Sequence, residues 1–353
     1  MVETLSPLLL PDWPASVVPS PPRIAVVVSG PAASMPLCLL ALQRQRTAAG
    51  LRPSAGGIAV VLAPEEGPAR LRPLLAGIEP HLPFPLRIEA TPGAEPGWRA
   101  ALRQAADWVG PEGMVLSTRA DAAPEPGWIA AHAAAIAAGA EAGAGIIRPP
   151  SLPCPARRYA LLLEAIAARL DPLAEHLPPP AEAAHNLAFR AGILPDALPP
   201  GGAPALLALL RARDATIRLV AGAVVGAALP PPPVEGLRAA CRRVTARAML
   251  RRLWEDGIGI VLPENEALRH LARRLGLPAG ALAALLGTRH FGAAWAAVEA
   301  ASSMLALQPL PATALAGETR RARLLLAWLR LAGQRAGGRP AGAAMPGGSC
   351  IGW

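Results

Sequence analysis

The sequence has no lysine: all 34 basic residues are arginine, set against 25 acids for a formal charge of +9. Aromatic residues make up only 3 %, with a single tyrosine. No basic stretch is interleaved with aromatics, so single-stranded nucleic acid is not an expected partner. The arginine bias travels with Ala, Gly and Pro, all residues with GC-rich codons, and is discounted as a nucleic-acid signal. Cysteine is scarce: Cys38, Cys154, Cys241 and Cys350 lie far apart, without a C-x-x-C pair or a Cys/His spacing. That excludes a disulfide framework or a zinc site and points to reduced thiols in the cytoplasm. No clean spanning helix is visible. Trp128 to Ile147 is long enough but is mostly Ala and Gly, with His132 and Glu141 inside, and Leu219 to Leu229 is too short. Met1 to Pro22 carries acids and prolines rather than a basic start and an apolar run, so no leader is expected. Charged residues are 17 % and hydrophobic ones 52 %, the reverse of a disordered composition.

What is present is a folded α/β pattern broken by many turns, with 34 glycines and 42 prolines. Arg23-Ile-Ala-Val-Val-Val-Ser29 and Gly57-Ile-Ala-Val-Val-Leu62 are short β-branched runs that predict buried parallel strands. Leu86 to Glu89 and Gly113 to Ser117 predict two more strands. Helical spacing follows each: Met35 to Gln45, Pro68 to Gly77, Trp98 to Val109 and Trp128 to Ala140. Strands alternating with helices imply a sheet with right-handed crossovers. Tyr159 to Leu170 and Pro204 to Arg213 read as helices, and Ala215 to Leu229 contains a strand. The stiff run Pro230-Pro-Pro-Pro233 reads as a boundary, and only helices are expected from Gly236 onward. The expected organisation is a Pro-rich segment (1–22), an α/β unit (23–229), an Arg-rich helical unit (230–331) and a Gly-rich flexible tail (332–353).

Ligands of open α/β sheets bind beyond the carboxyl ends of the strands. That rule selects Ser29, the turn Ala63-Pro-Glu-Glu66 and the turn Ser117-Thr-Arg-Ala-Asp121. Around these turns the chain resembles the family 2 glycosyltransferases, over roughly Arg23 to Leu229. Cys38-Leu-Leu-Ala-Leu-Gln-Arg-Gln45 looks like the family's opening helix. Pro96-Gly-Trp-Arg-Ala-Ala-Leu-Arg-Gln-Ala-Ala106 resembles its Gly-Trp-Ala-Arg helix, and Ser117-Thr-Arg-Ala-Asp121 its Thr-Asp-Ala-Asp turn. His185-Asn-Leu-Ala-Phe-Arg190 is similar to its Asn-Leu-Ala-x-Arg segment, and Leu210-Arg-Ala-Arg-Asp-Ala-Thr-Ile-Arg218 to the arm after its Glu-Asp pair. The resemblance implies a GT-A-like, Rossmann-related fold: a mixed, mostly parallel sheet with helices on both faces, followed by an all-helical C-terminal region. It also implies transfer of a sugar from a nucleotide-diphosphate donor.

The departures from that pattern shape the expected chemistry. In the family an Asp-x-Asp pair holds a divalent cation against the diphosphate; here Arg119 replaces the first acid and only Asp121 stays. One carboxylate beside a guanidinium is a poor magnesium or manganese site. No cofactor is therefore expected, and Mg or Mn enters only if Asp121 gains further ligands. The position of the catalytic Glu-Asp pair aligns with Gly202-Ala203, which cannot titrate. Two readings follow. One is a metal-free transferase in which Arg119 contacts the diphosphate, with Ser29, Glu65, Glu66 and Asp121 on the donor side and His185, Asn186 and Arg190 on the acceptor side. The other is a pseudoenzyme that binds or scaffolds without transfer. The bland alternatives are that Asp121 caps a helix, that Arg119 only pairs with it, that His185 and Asn186 satisfy local backbone, and that Trp98, Trp128 and His132 are structural.

Between Pro230 and Arg330, fourteen arginines face seven acids. On a helical wheel, Gly236 to Trp254 has two apolar stripes, Leu237/Cys241/Val244/Ala248 and Ala239/Ala246/Leu250/Leu253, with arginines at the seams. Such a helix is expected to be sandwiched between partners. The sharper alternative is peripheral contact with anionic lipid at the inner face of the membrane, where a glycan or lipid-linked acceptor would be met. Phe291, Trp295 and Val298 fall on one face of another packing helix.

Overall fold

Ile24–Gly30 (β1) and Ile58–Pro64 (β2) lack a polar face, and β2 is buried at every position. A strand covered on both sides belongs inside a parallel sheet. Accordingly β1 pairs in parallel with β2 and with Met114–Arg119 (β4), and Leu86–Ile88 (β3) extends the sheet beyond β2. The structure is a computed structural model that describes residues 23–53, 57–148, 154–171, 186–228, 233–255 and 266–337, with side chains to residue 332. The segment read as 1–22 and the first three residues of the break read at Pro230–Pro233 lie outside the described residues, as does His185.

Helices cover both faces. Within Ala94–Val109 (α3), Trp98, Ala101, Leu102 and Ala105 recur at helical spacing and are buried. They pack on Val27, Val61 and Val115 together with Leu206, Leu207 and Leu210 of Gly202–Ala212 (α6). The alternate strand residues Val26, Val28, Val60 and Leu62 point the other way. They meet Leu39 and Leu42 of Met35–Gln43 (α1), Leu71 and Leu75 of Pro68–Leu75 (α2), and Trp128 of Trp128–Ala137 (α4).

Four further strands complete the sheet: Ala123–Pro124 (β5), Ala142–Arg148 (β6), Leu187–Arg190 (β7) and Ile217–Gly226 (β8). The order is β3-β2-β1-β4-β7-β6-β8-β5. β7 runs antiparallel to both its neighbours, β6 and β8 pair in parallel, and β5 lies antiparallel on the end of β8. The mixed sheet expected from the resemblance is therefore present, and β5, β6 and β7 are additions to the strands read from the sequence. β6 escapes notice because its first half is Ala-Gly-Ala-Gly, with little β propensity. Both glycines are required by close packing. A Cβ on Gly143 would come within 2.9 Å of Val220 and 3.0 Å of His132, and one on Gly145 within 2.3 Å of both the Asn186 amide and the Ala223 carbonyl oxygen.

The C-terminal region is helical, as expected: Leu237–Glu255 (α7), Glu266–Leu275 (α8), Ala279–Leu286 (α9), Phe291–Ala301 (α10) and Leu315–Gly337 (α11), the last running into the segment read as a tail. The predicted sandwich around α7 is divided along its length. Leu237 and Cys241 pack with Tyr159 and Ile166 of Pro155–Leu170 (α5) and with Ala322 and Leu326 of α11. Further along, Ala246 and Leu250 join Leu271, Leu282, Phe291 and Val298 of α8 to α10. Among the described residues no helix is long and apolar enough to cross a membrane.

Candidate functional site

The carboxyl ends of the first four strands are stitched together by their own backbone. The Ala120 N–H donates to the Ser29 carbonyl at 2.8 Å, the Glu65 N–H to the Gly30 carbonyl at 3.0 Å, and the Gly93 N–H to the Glu65 carbonyl at 3.0 Å. Gly30 makes this possible: its φ is +137°, and a Cβ there would meet that of Ala120 at 3.2 Å. The loops after β1, β2, β3 and β4 thus form one continuous rim.

Five sequence-selected residues lie on this rim. Ser29 is the penultimate residue of β1 and is half-buried. Arg119 donates from Nε to Asp121 Oδ1 at 3.2 Å, with 34 % of the Arg119 side chain and 41 % of that of Asp121 exposed. Among the described residues the other guanidinium N–H groups meet no acceptor, so the fork is available to an anion. Glu66 reaches back to the β1 loop, where its Oε2 accepts the Ala32 N–H at 2.9 Å. That backbone donor, joined by its own N–H, holds the Glu66 carboxyl below its ordinary range. Glu65 is half-buried on the same turn. Sequence reading missed Glu89, which follows β3 and accepts both the N–H and the hydroxyl of Thr91, at 2.9 and 2.8 Å. An acid directly after a strand end was its available signal.

Of the acceptor-side residues, Asn186 and Arg190 do not join this rim. β7 runs antiparallel, so its sequence reads backward across the sheet: Leu187 faces Ser117, but Arg190 faces Met114 at the amino end of β4. Arg190 therefore stands about 17 Å of strand away from Arg119, beside Glu112 at 3.9 Å. Asn186 sits at the correct edge but is wholly buried beneath it. Its Oδ1 accepts from Trp128 Nε1 at 2.8 Å and meets His132 Nε2 at 2.8 Å. Its Nδ2 donates to the carbonyls of Ile146 at 3.0 Å and Ala223 at 2.8 Å. The amide is thereby saturated. It bridges the register shift between β6 and β8 at Gly145/Ile146. His132 is fully buried, its Nδ1 has no partner, and burial pushes its pKa down to about 4.

Other motif residues are also structural. Trp98 is buried and donates from Nε1 to Ser117 Oγ at 2.9 Å, which turns Ser117 away from the rim. Burial, with a smaller contribution from Asp121, raises the Cys38 thiol to about 12. Gly202 and Ala203 open α6, and Ala203 is buried, so no titratable side chain stands there.

The rim does not suit a divalent cation. Hard cations need several oxygens. Here Asp121 is engaged by Arg119 and Glu66 by the Ala32 backbone. Among the described residues no group of three or more His, Cys, Asp or Glu converges.

The class defined by the fold is thus a mixed α/β protein with a C-terminal helical region. No family model and no curated protein matches the chain. Among solved structures it is similar to the mannosyltransferase PcManGT from Pyrobaculum calidifontis in complex with GDP-Man and Mn2+, at 21 % identity and a TM-score of 0.42, over 92 % of this chain and 90 % of that one. It is also similar to S. aureus TarS 1-349, at 14 % identity and a TM-score of 0.40, over 78 % of this chain and 90 % of that one. Likeness of this degree assigns no activity to this chain.

Proposed function

We propose that the protein is a divergent family 2-like glycosyltransferase whose rim binds a nucleotide-diphosphate sugar without a resident metal. The supporting observation is the Arg119 fork, exposed at the carboxyl edge of β4 and braced by Asp121. A planar guanidinium pairs well with a phosphate oxyanion. In sugar transfer the bond between the anomeric carbon and the diphosphate breaks, and charge accumulates on the departing nucleoside diphosphate. Arg119 is suited to take that charge, with Ser29, Glu65 and Glu66 toward the nucleoside. On this reading the nucleotide-sugar unit is 23–229, the helical unit 230–331, and the acceptor a glycan or lipid-linked glycan. The exposed Arg238 on α7 supports a peripheral membrane contact, which flotation with anionic vesicles tests.

A second reading, donor binding without transfer, is favoured by one observation: no titratable side chain stands at Gly202-Ala203 to deprotonate an acceptor. Calorimetric titration with UDP- and GDP-sugars, with and without manganese, tests the first reading. Binding should be independent of manganese, and Arg119→Ala should weaken it about tenfold or more, the value of one charged hydrogen bond. Manganese-dependent binding, or affinity untouched by Arg119→Ala, would refute it. Donor hydrolysis or transfer assays on the binding-competent protein then separate enzyme from scaffold.

A further inference from the structure

At the opposite end of the sheet, α6, α7 and α10 enclose a cleft of about 990 Å³. Its wall includes Thr216 and Ile217, where β8 begins. The ten residues of β8 separate that point from the rim, about 30 Å at strand rise. The two regions are therefore distinct.

The cleft is built around arginine. Arg243, Arg247 and Arg251 recur every fourth residue and form one ridge of α7, and Arg211 reaches in from the end of α6. Arg243 is neutralised by Glu235, at 3.2 Å, and by Glu299. The other three have no such direct pair. Among the described residues, no carboxylate lies within ion-pair distance of Arg211, Arg247 or Arg251. Nε of Arg247 is buried without any hydrogen-bond partner. Of the acids lining the cleft, Asp214 is occupied by the N–H groups of Phe291 and Gly292, both at 2.7 Å. Arg251 lies over the Phe291 ring at 5.1 Å, which fixes the direction of its fork. Burial first, and then repulsion from a neighbouring arginine, hold the Arg211 and Arg247 guanidiniums below their ordinary range, against a smaller pull from Glu299 on both and from Asp171 and Asp214 on Arg247. A half-buried cluster of unpaired guanidiniums is unfavourable until an anion joins it.

We propose that this cleft binds the phosphate or diphosphate group of a small molecule, through Arg211, Arg247 and Arg251. Several convergent forks suit the tetrahedral oxygens of phosphate, and the volume accommodates an organic phosphate. Trp254 and Trp295, also on the wall, offer apolar surface to the remainder of the ligand.

Calorimetric titration of the full chain with pyrophosphate and with inorganic phosphate tests this site. Arg211→Gln and Arg247→Gln should each weaken pyrophosphate binding at least tenfold, and Arg44→Gln, a distant exposed control, should not. Without ligand, both variants should melt at or above the parent temperature, because a repulsion has been removed. A structural role for the arginines predicts the reverse. Absence of pyrophosphate binding at millimolar concentration would overturn the proposal. So would binding that falls with Arg119→Ala but not with Arg247→Gln, or ligand-free melting lowered in both variants. Co-sedimentation with phosphatidic acid vesicles that Arg247→Gln abolishes would identify a lipid phosphate as the source. Pyrophosphate binding without co-sedimentation would identify a soluble one.

Discussion

Asn186 shows how one side chain can organise half a sheet. Its amide joins α4 through Trp128 and His132, and joins β6 to β8 through two carbonyls. Asn186→Ala would strand four buried polar groups, so it should cost about 3 to 5 kcal/mol in urea unfolding. His132 adds a pH dependence. Its folded pKa is about 4, against 6.5 for the free side chain, because burial excludes the charged form. The unfolded chain therefore takes up a proton first as pH falls. The stabilisation is complete above pH 6.5 and declines toward pH 4, by about 3 kcal/mol in all. His132→Leu should flatten that part of the stability profile. Cys38, held near 12, should react with a disulfide reagent only on unfolding.

At the level of elements, the legible parts were those with simple periodicity. β1, β2 and β4 are visible as apolar runs, and α3 by its buried spacing at Trp98, Ala101, Leu102 and Ala105. β6 is not, because glycines that make room for Asn186 and His132 remove the side chains by which a strand is recognised. The rim residues Arg119 and Asp121 were legible from their place after a strand. The position of Arg190 was not, since only the antiparallel insertion of β7 carries it to the far edge. The junction between α6 and α10 is equally invisible in one dimension. Asp214, at φ +54°, caps α10 through the Phe291 and Gly292 N–H groups. Asp214→Ala should cost roughly 1 to 2 kcal/mol by loss of the cap, with added strain at the left-handed backbone. Asp214→Asn should cost less, because asparagine tolerates that conformation and keeps one acceptor.

On the scale of the whole molecule, the helical region is joined to the α/β unit through α5. Tyr159 and Ile166 of α5 are covered by Ala322 and Leu326 of α11. The contiguous apolar patch left by removing residues 233–337 would be an aggregation surface. A chain ending at residue 228 should therefore be insoluble or melt well below the intact protein in differential scanning calorimetry. The cleft arginines lie at the same junction, so a ligand there would tie α6 to α7 and raise the melting temperature of both parts together.

The strand Ala123–Pro124 has one more consequence. The segment that leaves β4 through Arg119 and Asp121 is caught at once by the end of β8, at Gly226 and Val225. A loop latched at both ends has no hinge about which to swing. On the proposed function, nucleotide should therefore dock into a mouth already set, and stopped-flow association should show a single phase whose rate climbs linearly with concentration, without a slow closing step.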